Sequence, residues 1–173
     1  MQALQRLPLK KEIPLIRTYT PSDLKTLCDI TVICFSGTSI DQNIEGIFGR
    51  IGDKDWRWRK ARTIEADAAV NPKGIFVYEV DGKVVGYITT RVDPHTQTGL
   101  IPNLAVLPQH QGKGIGKALL TAALDYFEVS GMAMAKIEAL DQNPVTPTFY
   151  PRAGFQEVAR QIHYAMPLKN RRV

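Results

Sequence analysis

The sequence predicts an α/β fold in which helices cover the faces of one mixed sheet, and three observations carry that prediction. Asp81-Gly82 joins two apolar, β-branched runs, "IFVYEV" and "KVVGYITTRV", and is the strongest two-residue signal for a β-hairpin. The run "NLAVLPQHQGKGIGKALL" passes from a strand through three glycines straight into helical spacing. Strand-like and helix-like periods then alternate in the order β, α, α, β, β, β, α, β, α, β, β, which layers helices against a sheet.

Each element has a local reason. "IPLIRTY" reads as the first strand. Thr20, Pro21 and Asp23 supply an N-cap, a proline at the first helical position and a carboxylate one turn in, starting a helix through "DLKTLCDITVICF". A second helical region covers Ser39 to Val70, broken near Gly49 and Gly52 and ended by "NPKG". The hairpin follows, then a turn at "DPHTQTG" and a fourth strand, "LIPNLAVL". Beyond the glycines, Ile115, Leu119, Ala122 and Tyr126 share one helical face, closed by Ser130-Gly131. "AKIEAL" is a fifth strand, "TPTFYPRAGF" a short helical turn, and "QEVARQIHYAMPL" a last β-hairpin or pair of strands. No repeat or linker divides the 173 residues, so a single domain over 1–173 is expected, with a core of about 13–168, a short flexible N-terminal segment and a basic tail, "KNRRV".

Composition narrows the function classes. Cys28 and Cys34 form no CxxC pair and the three histidines, His95, His110 and His163, are scattered, so neither a metal site nor a disulfide framework is expected. The N-terminus lacks the apolar core of a signal peptide, and no apolar run reaches the roughly 20 residues that span a bilayer; a cytoplasmic chain without a membrane partner is expected. Lys plus Arg outnumber Asp plus Glu by 22 to 17, with basic clusters at "RWRKAR" and the tail. Such a surplus suits nucleic acid, an acidic partner or a phosphorylated cofactor, although a solvated helix face is the plainer reading of each cluster.

A strand, a glycine-rich turn and a helix N-terminus in succession form an anion site, because free amides and the helix dipole converge. Two familiar nucleotide loops are excluded by residues. A P-loop would need glycine where Gln111 stands and Ser or Thr where Ala118 stands, and a dinucleotide fingerprint would need glycine where Lys117 stands. What remains is Gln111-x-x-Gly114-x-Gly116. Between "LAVLP" and an amphipathic helix, this pattern resembles the acetyl-CoA loop of the GCN5-related N-acetyltransferase (GNAT) superfamily. "NPVTPTFYPRAGF" resembles a second motif of that superfamily, matched at Asn143, Phe149, Tyr150, Gly154 and Phe155. The likeness runs over roughly residues 13 to 168.

The resemblance implies a mostly antiparallel, twisted sheet with one splayed strand pair and helices on both faces. It also implies an acetyl-CoA-dependent N-acetyltransferase, acting by direct attack of a primary amine, on a small molecule or a protein, in a ternary complex. Gln111, Gly112, Lys113, Gly114, Ile115, Gly116 and Lys117 would cradle the pyrophosphate, with Gly114 and Gly116 admitting phosphate oxygens where a Cβ would intrude. Leu104, Ala105 and Val106 would pair with the pantetheine arm and leave an amide for the acyl oxygen, and Asn143 and Tyr150 would complete the cofactor site. Tyr150 is the candidate acid for the leaving thiolate, with Pro151 beside it an obstacle to regular helix. The family often places its glutamate base on the strand before the loop, where this chain has Leu100. Glu138, spaced from Asn143 and Tyr150 as in the bacterial enzymes that acetylate ribosomal-protein N-termini, is the candidate base instead. No metal is implied, and a homodimer is compatible with the sequence.

Each residue also has a plainer reading. Glu138 could sit on a solvent face, Tyr150 could be a half-buried core aromatic, Asn143 could cap a turn, and His110 could be an exposed loop residue. Trp56 and Trp58 could be one buried and one partly exposed ring rather than an acceptor clamp. Two other functions stay open: a CoA-binding regulatory module without turnover, and a basic nucleic-acid module. The acceptor is to be chosen by the segment from Cys34 to Gly74 and the last hairpin.

Overall fold

The computed structural model describes residues 14–169; the first residue of the predicted first strand and the "NRRV" end of the basic tail lie outside them. Five strands form one sheet in chain order: β1 (Pro14–Thr18), β2 (Phe76–Val80), β3 (Lys83–Asp93), β4 (Thr98–Val106) and β5 (Met134–Ile137). Neighbours run antiparallel except β4 and β5, which are parallel. Helices α1 (Leu24–Cys34), α2 (Ile40–Phe48) and α3 (Trp56–Val70) lie between β1 and β2, α4 (Ile115–Val129) between β4 and β5, and α5 (Thr146–Arg152) after β5.

Local chemistry explains the boundaries. Asp81 and Gly82 both have positive φ (50° and 75°), the backbone that a two-residue turn between right-twisted strands requires. Thr20 and Asp23 form the predicted cap: Asp23 Oδ2 accepts from the Thr20 amide at 2.7 Å and from its hydroxyl at 2.9 Å. The predicted second helical region is two helices. The chain turns at Gly49 and Gly52, both with positive φ, and restarts at Asp55, whose side chain accepts from the Trp58 amide at 2.9 Å.

Both faces of the sheet are covered. Leu27, Ile30 and Ile64 from α1 and α3 meet Val77, Tyr87 and Ala105 on one face; Ile115, Leu119, Leu120, Ala123 and Phe127 from α4 meet Val85, Ile88 and Ile101 on the other. This double cover explains why β3 reads as an unbroken buried run from Val85 to Thr90.

The predicted last strands are a correction. No strand forms between residues 156 and 169, and Val158, Ile162, Tyr164, Met166 and Leu168 are exposed. Their alternation favours extended backbone, but a strand needs an edge to bond to, and no edge among the described residues pairs with this segment. The fifth strand is also shorter than "AKIEAL", ending at Ile137.

Arg17 ties the first strand to both the hairpin and the helix start. Its guanidinium donates to both Asp23 oxygens (2.7 and 2.8 Å) and to Glu79 Oε1 (2.7 Å). Chiefly through this bond, Asp23 is held well below the usual carboxylate range, at about 2. A depressed carboxylate stabilises the fold above its unfolded pKa, near 4, and the gain is lost as pH falls toward 2. Arg17→Ala is therefore expected to cost about 2 kcal/mol at neutral pH. In urea unfolding, the gap from wild type should narrow between about pH 4 and pH 2.

Candidate active site

The site begins where two strands part. β4 pairs with β5 only from Thr98↔Met134 to Ile101↔Ile137, yet β4 continues to Val106. At the same point β4 gains a residue against β3: Thr89 pairs with Asn103 but Arg91 with Leu100. The extra residue falls at Ile101-Pro102, and Pro102 has no amide to lose from the ladder. Past this bulge the Asn103 amide donates to Thr89 Oγ1 (3.1 Å) and that of Leu107 to Val85 O (2.9 Å), both on the β3 side. Strand alternation therefore puts the Leu104 and Val106 amides on the opened edge, while the Ala105 side chain is buried in the core. The splayed pair is present, and its bulge lies just before the 104–106 stretch.

The loop sits at the end of that edge. Gln111 Nε2 donates to Val106 O at 2.8 Å, so this side chain latches the loop to β4. The first amide of α4 with an acceptor is that of Ala118, to Gly114 O at 3.0 Å. The amides from Gly112 to Lys117 are thus left without a backbone partner among the described residues, clustered at the positive end of a helix dipole. Gly112 and Gly114 have positive φ (74° and 82°) and nothing within 4 Å of a would-be Cβ; backbone conformation explains these two. Gly116 is different. Its backbone is helical, and a Cβ there would meet the Phe149 ring at an ordinary 3.4 Å. The fold alone does not require glycine at 116. Lys113 and Lys117 are exposed beside the amides and Ile115 is buried beneath them. A groove of about 430 Å³ runs along another flank of α4, between Ile16 and Gly114, Lys117, Thr121 and Asp125. It touches the loop but has no β4 or β5 residue in its lining.

Glu138 is the first residue past β5, at the mouth of the split. Its side chain is 65% exposed, with Lys136 Nζ at 3.8 Å. Leu100, at the family's usual base position, pairs with Lys136 before the strands part and has no basic group. Tyr150 lies on α5, its ring edge-on to Phe149 (5.1 Å) and Phe155 (6.0 Å), and burial pushes its hydroxyl up to about 12. Pro151 does not break α5, which runs on to Arg152. The amides of Ala153, Gly154 and Phe155 fold back onto the carbonyls of Phe149, Tyr150 and Pro151 and finish the helix. Asn143 does cap a turn, its Oδ1 accepting from the Val145 amide at 3.1 Å. His110 is half-buried rather than exposed, with Nδ1 unpartnered.

On the α1 and α3 side of the split lies a polar cluster that sequence reading missed. Asp67, 1% exposed, accepts from Thr89 Oγ1 (2.7 Å), Asn103 Nδ2 (2.8 Å) and Arg91 (2.6 and 3.0 Å). Lys60 Nζ donates to Asn103 Oδ1 at 2.8 Å. Burial lowers the Lys60 pKa, with Asp41 and Asp67 acting the other way. The local signs were only the second carboxylate of "EADAAV" and a lone amide in "IPNLAV". Gln142, from the β5–α5 connection, donates to Gly37 O (2.7 Å) and accepts from Asn43 (2.9 Å), which closes this side against α2. Trp56 is buried and Trp58 is 46% exposed, as the plainer reading expected; Trp58 lies between Lys54 and Arg62.

Among the described residues no group of three or more His, Cys, Asp or Glu converges on a metal position, and no helix is long and apolar enough to cross a membrane.

The split parallel pair, the donor-rich loop and α5 all lie within a stretch that one family model covers. The sequence model described as "Acetyltransferase (GNAT) family" matches residues 39–155, more than half of the chain, which therefore belongs to that family. The chain is similar to a mycothiol acetyltransferase from Streptomyces griseus, 34% identical over 91 residues, 53% of this chain and 30% of that protein. It is also similar to an N-alpha-acetyltransferase from Sulfurisphaera tokodaii, 35% identical over 100 residues, 51% of this chain and 60% of that one. The chain thus spans about a third of the length of the mycothiol acetyltransferases it matches. Its fold is similar to that of the PaiA N-acetyltransferase from Thermoplasma acidophilum, solved with coenzyme A (TM-score 0.67, 20% identity, 83% of this chain and 90% of that one). A ribosomal-protein alanine N-acetyltransferase from Escherichia coli is similar too (TM-score 0.61, 21% identity, 85% and 80%).

Proposed function

We propose that this chain transfers the acetyl group of acetyl-CoA to a primary amine of a peptide or small molecule, both substrates being bound together. The observation that carries the reading is Gly116: helical backbone with room for a Cβ, set among free amides at a helix N-terminus, fits a position kept bare for a close-lying phosphate. Gly112 to Lys117 hold the pyrophosphate with their amides, Lys113 and Lys117 add charge, and Gln111 and Asn143 hold the loop and the α5 turn in place. The Leu104 and Val106 amides serve the pantetheine arm and the acyl oxygen from the opened edge. Bound acetyl-CoA supplies an activated acyl carbon. Glu138, at the mouth of the split, takes the acceptor's proton, and Tyr150 protonates the departing thiolate.

The N-terminal α-amino group of a peptide suits this site. With a pKa near 8 it is far more often neutral at working pH than a lysine near 10.4, and it asks less of an exposed glutamate. Membership of an acetyltransferase family and likeness to an N-alpha-acetyltransferase support this choice. The nucleic-acid reading loses its main support, because Arg57, Arg59 and Arg62 of "RWRKAR" are paired with Asp55, Asp41 and Glu45, and Glu65. Release of CoA thiol measured over a panel of peptides, lysine, polyamines and amino sugars tests the proposal. Amine-dependent release, fastest with peptides, is expected; acetyl-CoA binding without release from any amine would make the chain a regulatory module instead.

A further inference from the structure

One buried amine has no part in this chemistry. Lys60 is half-buried on α3, its Nζ lying 3.9 Å over the centre of the Phe35 ring and 2.8 Å from Asn103 Oδ1. Asn103 is the second residue past the last β4–β5 pair, Ile101↔Ile137, and precedes Leu104, whose amide faces the opened edge. Lys60 thus stands about one side chain's length from the split. Its hydrogen-bond partner is a neutral amide; Asp67 is filled by Thr89, Asn103 and Arg91, and neither it nor Asp41 bonds to Lys60, although the charge of both favours the ammonium. The exposed lysines Lys25 and Lys136 differ, each having a carboxylate within 4 Å. An amine held by a neutral acceptor and an aromatic face gives up its proton more readily than one held by a carboxylate, and burial lowers the Lys60 pKa in that direction.

We propose that Lys60 is an internal acetyl acceptor, modified by acetyl-CoA bound in the same chain. This rests on the reading of the split as the acetyl-CoA site. The neutral Nζ attacks the thioester carbonyl carbon, and the C–N bond forms as the C–S bond breaks. The nitrogen loses one proton to water and the thiolate gains one, so amine and acetyl-CoA become amide and free CoA. The acetamide retains one N–H for Asn103 Oδ1 but loses the charge over Phe35, which makes the modification a change in the wall that faces the acceptor.

The test is peptide mass spectrometry on the intact chain incubated with carbon-13-labelled acetyl-CoA and no added amine, digested on the carboxyl side of glutamate. Calorimetry of acetyl-CoA binding runs alongside. The label is expected on Lys60 at a rate independent of protein concentration and about 10-fold or more above that of the exposed lysines Lys25 and Lys73, because its attack is intramolecular while theirs draws on acetyl-CoA from solution. Labelling of Lys60 no faster than of Lys73, or a rate proportional to protein concentration, overturns the proposal. Acetyl-CoA binding with Lys60 unlabelled overturns this inference alone; absence of binding overturns the reading of the site and this inference with it.

Discussion

Tyr150→Phe is expected to lower kcat by about 10²- to 10⁴-fold, the range for loss of one general acid, with acetyl-CoA affinity nearly unchanged. The substitution removes one oxygen, and the ring's contacts are apolar and edge-on, with Phe149 and Phe155, so α5 should keep its packing. Burial holds the hydroxyl at about 12. A tyrosine donates only while neutral, and a raised pKa extends that form upward, so the wild-type rate should not fall on the alkaline side below about pH 11 on this residue's account. A fall centred near pH 9 that Tyr150→Phe removes would contradict the assignment of about 12 to this group. Pro151 enters the same experiment. Because α5 runs through the proline and closes normally behind it, Pro151→Glu is expected to leave the rate within about twofold. A large gain that disappears in the Tyr150→Phe background would show that the proline holds the hydroxyl out of place.

Glu138→Gln is expected to have the second large effect, a fall in kcat of about 10²- to 10⁴-fold. The amide keeps the side chain's shape at the end of β5 and removes its basicity. The effect should depend on the acceptor: larger for a lysine side chain, which is mostly charged at neutral pH, than for a peptide α-amino group. Affinity for acetyl-CoA should stay as it was, because Glu138 stands at the mouth of the split and not on the loop. A variant with unchanged rate would make this 65% exposed side chain a surface residue, with the acceptor deprotonated by another route.

What the sequence made legible was local. Asp81-Gly82, the Thr20–Asp23 cap and the Gly112–Gly116 loop each depend on residues within a few positions, and each stands where its chemistry put it. The break at Gly49 and Gly52 was legible for the same reason, whereas the Asp55 cap that restarts the helix is masked by the charges around it. The last hairpin failed because alternation at Ile162, Tyr164, Met166 and Leu168 describes a strand's faces and says nothing of the edge it must bond to. The cluster around Asp67 was out of reach for a different cause. Lys60 and Asn103 are 43 positions apart, and Asn43 and Gln142 are 99 apart, so only the folded sheet reveals that they meet. Family resemblance anticipated the split itself, but not that the bulge would fall at Ile101-Pro102.

Calorimetric titration of acetyl-CoA into the wild type and into folded Gly116→Val tests the central claim most directly. Valine is a better helix former than the glycine it replaces, and the added Cβ meets the Phe149 ring at an ordinary 3.4 Å, so circular dichroism and melting should report a native protein. The account predicts saturable one-to-one binding to the wild type and a loss of at least about 100-fold in Gly116→Val, equivalent to about 2.7 kcal/mol. Equal affinity in the two folded proteins would contradict it, for then the bare backbone at Gly116 is not where the phosphates lie.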